Sequence, residues 1–516
     1  MAIKLITLLL FFGIMIGVGL YCRKHATDVN GFVLGGRNVG PWLTAFAYGT
    51  SYFSAVIFVG YAGQFGWKFG IASTWIGLGN AIIGSLLAWA LLGRRTRVMT
   101  QHLASATMPD FFGKRFDSLP LKIVASAIIF IFLIPYTASL YNGLSRLFEM
   151  AFGIDYSICV IVMAVLTGIY VIAGGYMATA INDFIQGIIM LFGIVAVIAA
   201  VLNNQGGFMA ALNGLANVSD PATSTIPGVF NSFFGPDPLS LFGVVILTSL
   251  GTWGLPQMVQ KFYAIKSEQA ISKGTIISTL FAMVVAGGCY FLGGFARLYS
   301  TPERVAETGF DAIIPSMLEN LPTIMIAIVV VLVLSASMST LSSLVLTSSS
   351  TLTLDFLKNT VAKNMTDKTQ LLVMRGLIVV FIGISVVIAI VQYKSNVTFI
   401  AQLMGVSWGA LAGAFLAPFL YGLYMKRTSK AAVWVCFFFG AGLLTLNLFF
   451  RSHFPVLLQS PINCGAFAMI AGLILVPLVS FFTKAPKKEI VEDAFAAYDE
   501  TVTVKVKTSL KENNMG

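Results

Sequence analysis

The chain of 516 residues is 57% hydrophobic and only 10% charged, where a soluble protein carries roughly 25% charged residues. With a mean hydropathy of +0.87, this excludes a water-soluble enzyme and leaves an all-α polytopic membrane protein. The net charge of +11 hints at nucleic acid, a reading that the placement of the basic residues removes.

In chain order, thirteen runs of mostly apolar residues are each long enough to cross a bilayer as a helix. They are α1 at 3–22, α2 at 40–65, α3 at 70–93, α4 at 122–147, α5 at 155–173, α6 at 176–201, α7 at 239–260, α8 at 274–297, α9 at 323–356, α10 at 369–392, α11 at 396–425, α12 at 430–449 and α13 at 461–482. The first is too long for the apolar region of a signal peptide. Arg23 and Lys24 follow it rather than precede it, so a retained helix with its N-terminus outside is expected. Of the 32 lysines and arginines, 25 then fall at cytoplasmic ends and loops, Lys261 among them, and 7 at external positions. That asymmetry is a topology signal, which puts the C-terminus inside and leaves nothing for nucleic acid to bind.

Residues 203–238 and 301–321 are expected as external loops, the second partly helical. Residues 1–482 form one transmembrane domain, and residues 483–516 a polar, mobile cytoplasmic tail. The five cysteines, Cys22, Cys159, Cys289, Cys436 and Cys464, show no CxxC pair or metal-ligand spacing and read as packed or lipid-facing thiols.

Two spans are interrupted. α2 contains AYGTSYFSAV, and α7 contains LTSLGTWGLPQ at residues 247–257. Glycines, hydroxyl residues and Pro256 break the helix where lipid would penalise any freed backbone group. The second break lies five helices after the first, so the two helices run in opposite directions through the bilayer. This is the pattern of an inverted repeat, residues 40–201 (α2–α6) and 239–425 (α7–α11), with α12 and α13 at 430–482 as additions. Broken helices in such transporters supply carbonyls to cations and helix N-termini to anions. A glycine kink used only for packing is the plainer alternative.

α9 carries SASMSTLSSLVLTSSS at 335–350. Ser339, Ser342 and Ser343 at i, i+3 and i+4 put three hydroxyls on one face, with Thr340 beside them. Such neutral oxygens suit Na⁺, which must be released on every cycle; bonding back to the helix or close helix packing would explain them equally well. Asp183, about seven residues or ~10 Å into α6, is the one acid placed within a span. An acid there marks a functional site unless it caps a helix or forms a structural ion pair. No catalytic set competes. His25, His102 and His453 each sit at a helix end or loop, and no nucleotide-binding, serine-hydrolase or zinc-protease motif occurs. The chain is therefore read as no enzyme, and uphill transport would draw on an ion gradient.

The stretches at 31–60, 174–193 (GGYMATAINDFIQGIIMLFG), 254–267 (GLPQMVQKFYAIKS) and 334–350 resemble the sodium/solute symporter family, in order over nearly the whole chain. That resemblance implies the leucine-transporter fold with a 5+5 core and thirteen helices in this branch. It implies a main sodium site from the carbonyls of Thr50, Phe53 and Ala336 and the hydroxyls of Ser339 and Thr340. A second sodium site, found in some members, would map onto Asp183, Ser339, Ser342 and Ser343. Proline symporters carry an acid in α2 within an SDMSG-like stretch, whereas this chain reads Ser51-Tyr52-Phe53-Ser54-Ala55. TSYFSA, IND and GLP stand nearer the pantothenate-type members.

Substrate contacts are expected from Tyr52, Ser54, Tyr136, Thr252, Trp253, Gln402 and Trp408, although ordinary core packing explains the aromatics as well. The function expected is a sodium-coupled importer in the plasma membrane, working by alternating access as a monomer. It would need no cofactor beyond Na⁺ as coupling ion, with the solute and the bilayer as its partners. The solute would be a carboxylate, a vitamin such as pantothenate, or an amino acid such as proline. The alternatives are a proton-coupled carrier using Asp183 and a transporter-like membrane sensor.

Overall fold

The computed structural model describes residues 2–395 and 400–500. Every regular element among them is a helix, the β-type pairing being confined to the isolated bridges Val39–Ile265 and Asp220–Ser224. Ten helical stretches of the described residues are long and apolar enough to cross a membrane. Helices are the natural outcome, because every backbone N–H and C=O in lipid needs a partner within the chain.

Two of the ten stretches turn sharply at a glycine. Within Val56–His102, Gly70 adopts φ 62 and ψ −143, ending α2 and starting α3. Within Tyr156–Asn204, Gly175 adopts φ 54 and ψ −147 between α5 and α6. A Cβ on Gly175 would stand 2.8 Å from the Phe32 carbonyl, so the position demands glycine twice over.

α11 (Ile400–Tyr424) is the most enclosed of the ten stretches, buried along almost its whole length. α4, α12 and α13 pack around it. Gly413 and Gly440 let α11 and α12 cross with backbones in contact. α9 (Thr323–Thr351) is buried almost throughout, hydroxyls included, among α2, α4 and the α5–α6 pair. α1 (Ala2–Cys22) lies against α5–α6. Large apolar side chains such as Leu9, Phe192, Phe449 and Phe482 remain exposed, as expected of a lipid-facing surface.

Both expected breaks are present. The first half of α2, Pro41–Tyr52, ends where Phe53 turns extended (φ −86, ψ 117), and helix resumes at Ala55. The first half of α7, Pro238–Leu250, passes through a tight turn at Gly251–Trp253. Leu255 then extends (φ −82, ψ 123), and a new helix runs Pro256–Ala264. Pro256 takes the first helical position, where its missing N–H costs nothing.

The segment 301–321 is partly helical, at Pro302–Thr308 and Ile313–Leu318. The tail differs from expectation. A helix, α14, spans Lys488–Ala496 with Val491 and Ala494 buried. Arg95 lies over the rings of Tyr424 (4.0 Å) and Tyr498 (4.6 Å), and the Tyr498 hydroxyl donates to the Leu423 carbonyl at 2.6 Å. An apolar stripe inside a polar stretch gave the tail something to bury. The rest of it, 501–516, lies outside the described residues.

Candidate functional site

Breaking α2 after Tyr52 leaves the Thr50 and Phe53 carbonyls at the end of a half-helix, facing the hydroxyl-rich turn of α9. The Ser339 hydroxyl lies 3.1 Å from the Thr50 carbonyl and 3.1 Å from that of Ala336. The Thr340 hydroxyl lies 3.1 Å from Thr50, 3.3 Å from Phe53 and 3.1 Å from Ala336, carbonyl oxygen in each case. All five expected oxygens thus converge, on residues at most 1% exposed. Each hydroxyl carries one proton, so two hydroxyls can serve only two of three carbonyls. The cluster is rich in lone pairs and poor in protons, the donor set of a hard cation.

The second expected set is arranged differently. The Ser342 hydroxyl turns back to the Ser339 carbonyl at 2.9 Å. Ser339 belongs to the first cluster. Ser343 shares a hydrogen bond of 2.8 Å with Ser51 and accepts one of 3.0 Å from the Lys261 ammonium. That ammonium stands 3.9 Å from Asp183, and the two side chains are 2% and 0% exposed. It also lies 5.1 Å from the centre of the Tyr176 ring.

Lys261, counted among cytoplasmic ends from sequence, is therefore an interior residue. The signal for this was present. Lys261 follows the break at Pro256 by five residues, or about 7.5 Å of helix. That leaves it at depth rather than at a helix end.

Among the expected substrate residues, Ser54, Tyr136 and Trp408 come together. The Tyr136 and Trp408 rings meet edge to face at 5.8 Å. The Tyr136 hydroxyl faces Ser54, Thr340 and Trp408, yet neither it nor the Ser54 hydroxyl completes a hydrogen bond to protein among the described residues. A third such group, missed from sequence, is Gln257 on the half-helix after the α7 break. It is fully buried, and neither amide atom has a hydrogen-bond partner among the described residues. A polar residue directly after Pro256 was its signal.

Other expected contacts are engaged elsewhere. Thr252 donates toward the Gly84 carbonyl (3.0 Å), and the Trp253 indole donates to Ile83 (2.9 Å), so both tie the α7 break to α3. Gln402 accepts from Arg451 at 3.3 Å, at an exposed position. The side chain of Tyr52 lies outside the described residues.

At the arginine-rich end, hydrogen bonds tie three segments together. Arg37, itself at φ 55, donates to the Tyr263 carbonyl (3.2 Å), to Thr100 and to the Ser105 carbonyl. Arg97 donates to Ile265 at 2.6 Å, and Val39 pairs by backbone with Ala264 and Lys266. The segments before α2, after α7 and at the end of α3 are thereby joined. The opposite end holds a cavity of about 520 Å³ bordered by Trp67, Asn142, Asp220, Asp311 and Tyr393.

Comparisons with known proteins agree with this architecture. The sodium:solute symporter family matches residues 32–438. The osmoregulated proline transporter OpuE of Bacillus subtilis is 30% identical over 489 residues, covering 94% of this chain and 96% of that protein. A sodium/proline symporter of Staphylococcus aureus is 33% identical over 438 residues, covering 83% of this chain and 82% of its own. The solved structure of a Na⁺-coupled sialic acid symporter in a substrate-bound outward-open state superposes with a TM-score of 0.73 at 17% identity, over 94% of this chain and 99% of that one. The last likeness establishes the fold, that of leucine-transporter-type carriers. On these grounds the chain belongs to the sodium:solute symporter family, and it is a multi-pass membrane transporter rather than an enzyme.

Proposed function

We propose that the chain imports a small solute together with Na⁺ across a bacterial plasma membrane by alternating access. The observation that carries this reading is the convergence of the Thr50, Phe53 and Ala336 carbonyls with the Ser339 and Thr340 hydroxyls. A sodium ion there would pin the broken α2 to α9 and be released when the two separate. The turns at Gly70 and Gly175, with α1 added, give thirteen crossings. The basic residues then put the N-terminus outside and the arginine-rich end in the cytoplasm.

Next to that cation position, Ser54, Tyr136 and Trp408 form a compact polar–aromatic cluster. None of the three carries a charge, which suits a solute without net charge. The names of the relatives make proline, a zwitterion without net charge, the first solute to test. Without an acid in α2, a solute ammonium would be met by freed carbonyls instead. Moving one charge inward releases ~2.3 kcal/mol per 100 mV, before any concentration term. Release inward requires the Arg37 hydrogen bonds to open.

The test is uptake of labelled solutes into proteoliposomes under an imposed sodium gradient. Accumulation should need inward Na⁺ and survive a protonophore. Equal accumulation with choline in place of sodium would refute the proposal.

A further inference from the structure

We propose that the Lys261 ammonium is a built-in cation filling the position where the hydroxyl and acid pattern of α6 and α9 would place a second sodium, so that this transporter couples one sodium per solute. The inference rests on the sodium-coupled reading above and adds its stoichiometry.

Its basis is the environment of one atom. The Lys261 nitrogen is met by the Ser343 hydroxyl at 3.0 Å, the Asp183 carboxylate at 3.9 Å and the face of Tyr176 at 5.1 Å. An anion, a neutral oxygen and a π-face are all cation-seeking groups. Asp183 makes no conventional hydrogen bond among the described residues, so its charge in a fully buried place is answered by the ammonium. A bare carboxylate there would be costly, and so would a second cation added to a pair that is already neutral. A sodium ion at Asp183 would have to displace the ammonium, whose side chain is only 2% exposed. Of the remaining ligands of such a site, Ser339 already belongs to the main cluster and Ser342 turns back to its own helix.

The tethered cation touches the main site as well. Lys261 holds Ser343, Ser343 holds Ser51, and Ser51 is the neighbour of Thr50, whose carbonyl faces Ser339 and Thr340. The three carriers of this chain sit on α7, α9 and α2, so the fixed charge braces the α7 break against the helices that would grip the exchangeable ion. A carrier cannot release its own lysine, and the charge moved per cycle is then that of one sodium.

The experiment counts sodium directly. Purified full-length protein in nanodiscs is titrated with ²²Na⁺, which needs no knowledge of the solute. The wild type should bind one sodium per chain, and Lys261→Arg the same. Lys261→Met uncovers Asp183 and should bind two, with the Hill coefficient for sodium rising from about 1 toward 2. Lys261→Met/Asp183→Asn should return to one. Asp183→Asn alone should keep one sodium with an affinity within about threefold of wild type.

Two sodium ions on the wild type, or loss of a sodium in Asp183→Asn, would overturn the proposal. So would a count of one on a folded Lys261→Met. If Lys261→Met is unstable, its melting temperature in NaCl against choline chloride decides. Selective rescue by sodium supports the exposed site; equal instability in both salts, with the double variant stable, overturns it. No sodium on the wild type at all would instead refute the sodium-coupled reading.

Discussion

The Thr340 hydroxyl sits 3.1 Å from the Thr50 carbonyl, across 290 residues of chain, and joins the hydroxyl turn of α9 to the broken end of α2. Thr340→Val keeps the shape and removes that oxygen, so a sodium ion held as proposed would be one ligand short. The sodium concentration for half-maximal uptake should rise roughly tenfold or more, about 1.4 kcal/mol. Sodium titration of initial uptake rates measures it, and an unchanged half-saturation would move the ion elsewhere.

Tyr136 carries a buried hydroxyl that completes no hydrogen bond to protein among the described residues. An unpaired buried donor lowers stability, while a bond to bound solute contributes about 1 kcal/mol. Tyr136→Phe should therefore raise the melting temperature slightly without solute, and raise the solute KM roughly fivefold. Thermal melts and uptake kinetics on the same preparation check both. A KM within twofold of wild type would take Tyr136 out of the proposed solute site.

Thr252 shows the opposite pairing of effects. Its hydroxyl lies 3.0 Å from the Gly84 carbonyl and 2.9 Å from that of Ser249. Thr252→Val should cost about 1 kcal/mol of stability and leave the solute KM unchanged. A raised KM with normal melting would return Thr252 to that site.

Asp220, on the polar loop after α6, pairs with Arg297 at 2.8 Å. A hydrogen bond from Thr223, outweighing partial burial and joined by the Arg297 guanidinium, holds its carboxyl below the ordinary range. The folded pKa being depressed, this tether is fully present above about pH 4, the ordinary aspartate value, and is lost as pH falls below that. Limited proteolysis should find the loop protected from neutral pH down to about pH 4. Asp220→Asn should open it at pH 7. Equal protection in that variant would show that Arg297 holds the loop by its contacts with Thr223, Trp67 and Phe230.

The helices, the two breaks and the hydroxyl stripe of α9 were legible in the sequence because lipid leaves the backbone no other partner. Glycine, serine and proline at 49–56 and 249–257 therefore stand out against apolar runs. The grouping of Ser339, Ser342 and Ser343 followed from helical periodicity alone. What periodicity does not carry is which helix stands opposite. Lys261 and Asp183 are 78 residues apart, and only the packing of α7 on α6 and α9 turned a supposed cytoplasmic lysine into the partner of an interior acid. The same packing turned Thr252 and Trp253 toward α3 and drew Gln402 to Arg451, because a side chain bonds to whatever acceptor the neighbouring helix brings within about 3 Å. Which residues break and which carry oxygen was decided along the chain; which of those oxygens meet the freed carbonyls of α2 and which meet the Lys261 ammonium was decided by tertiary structure.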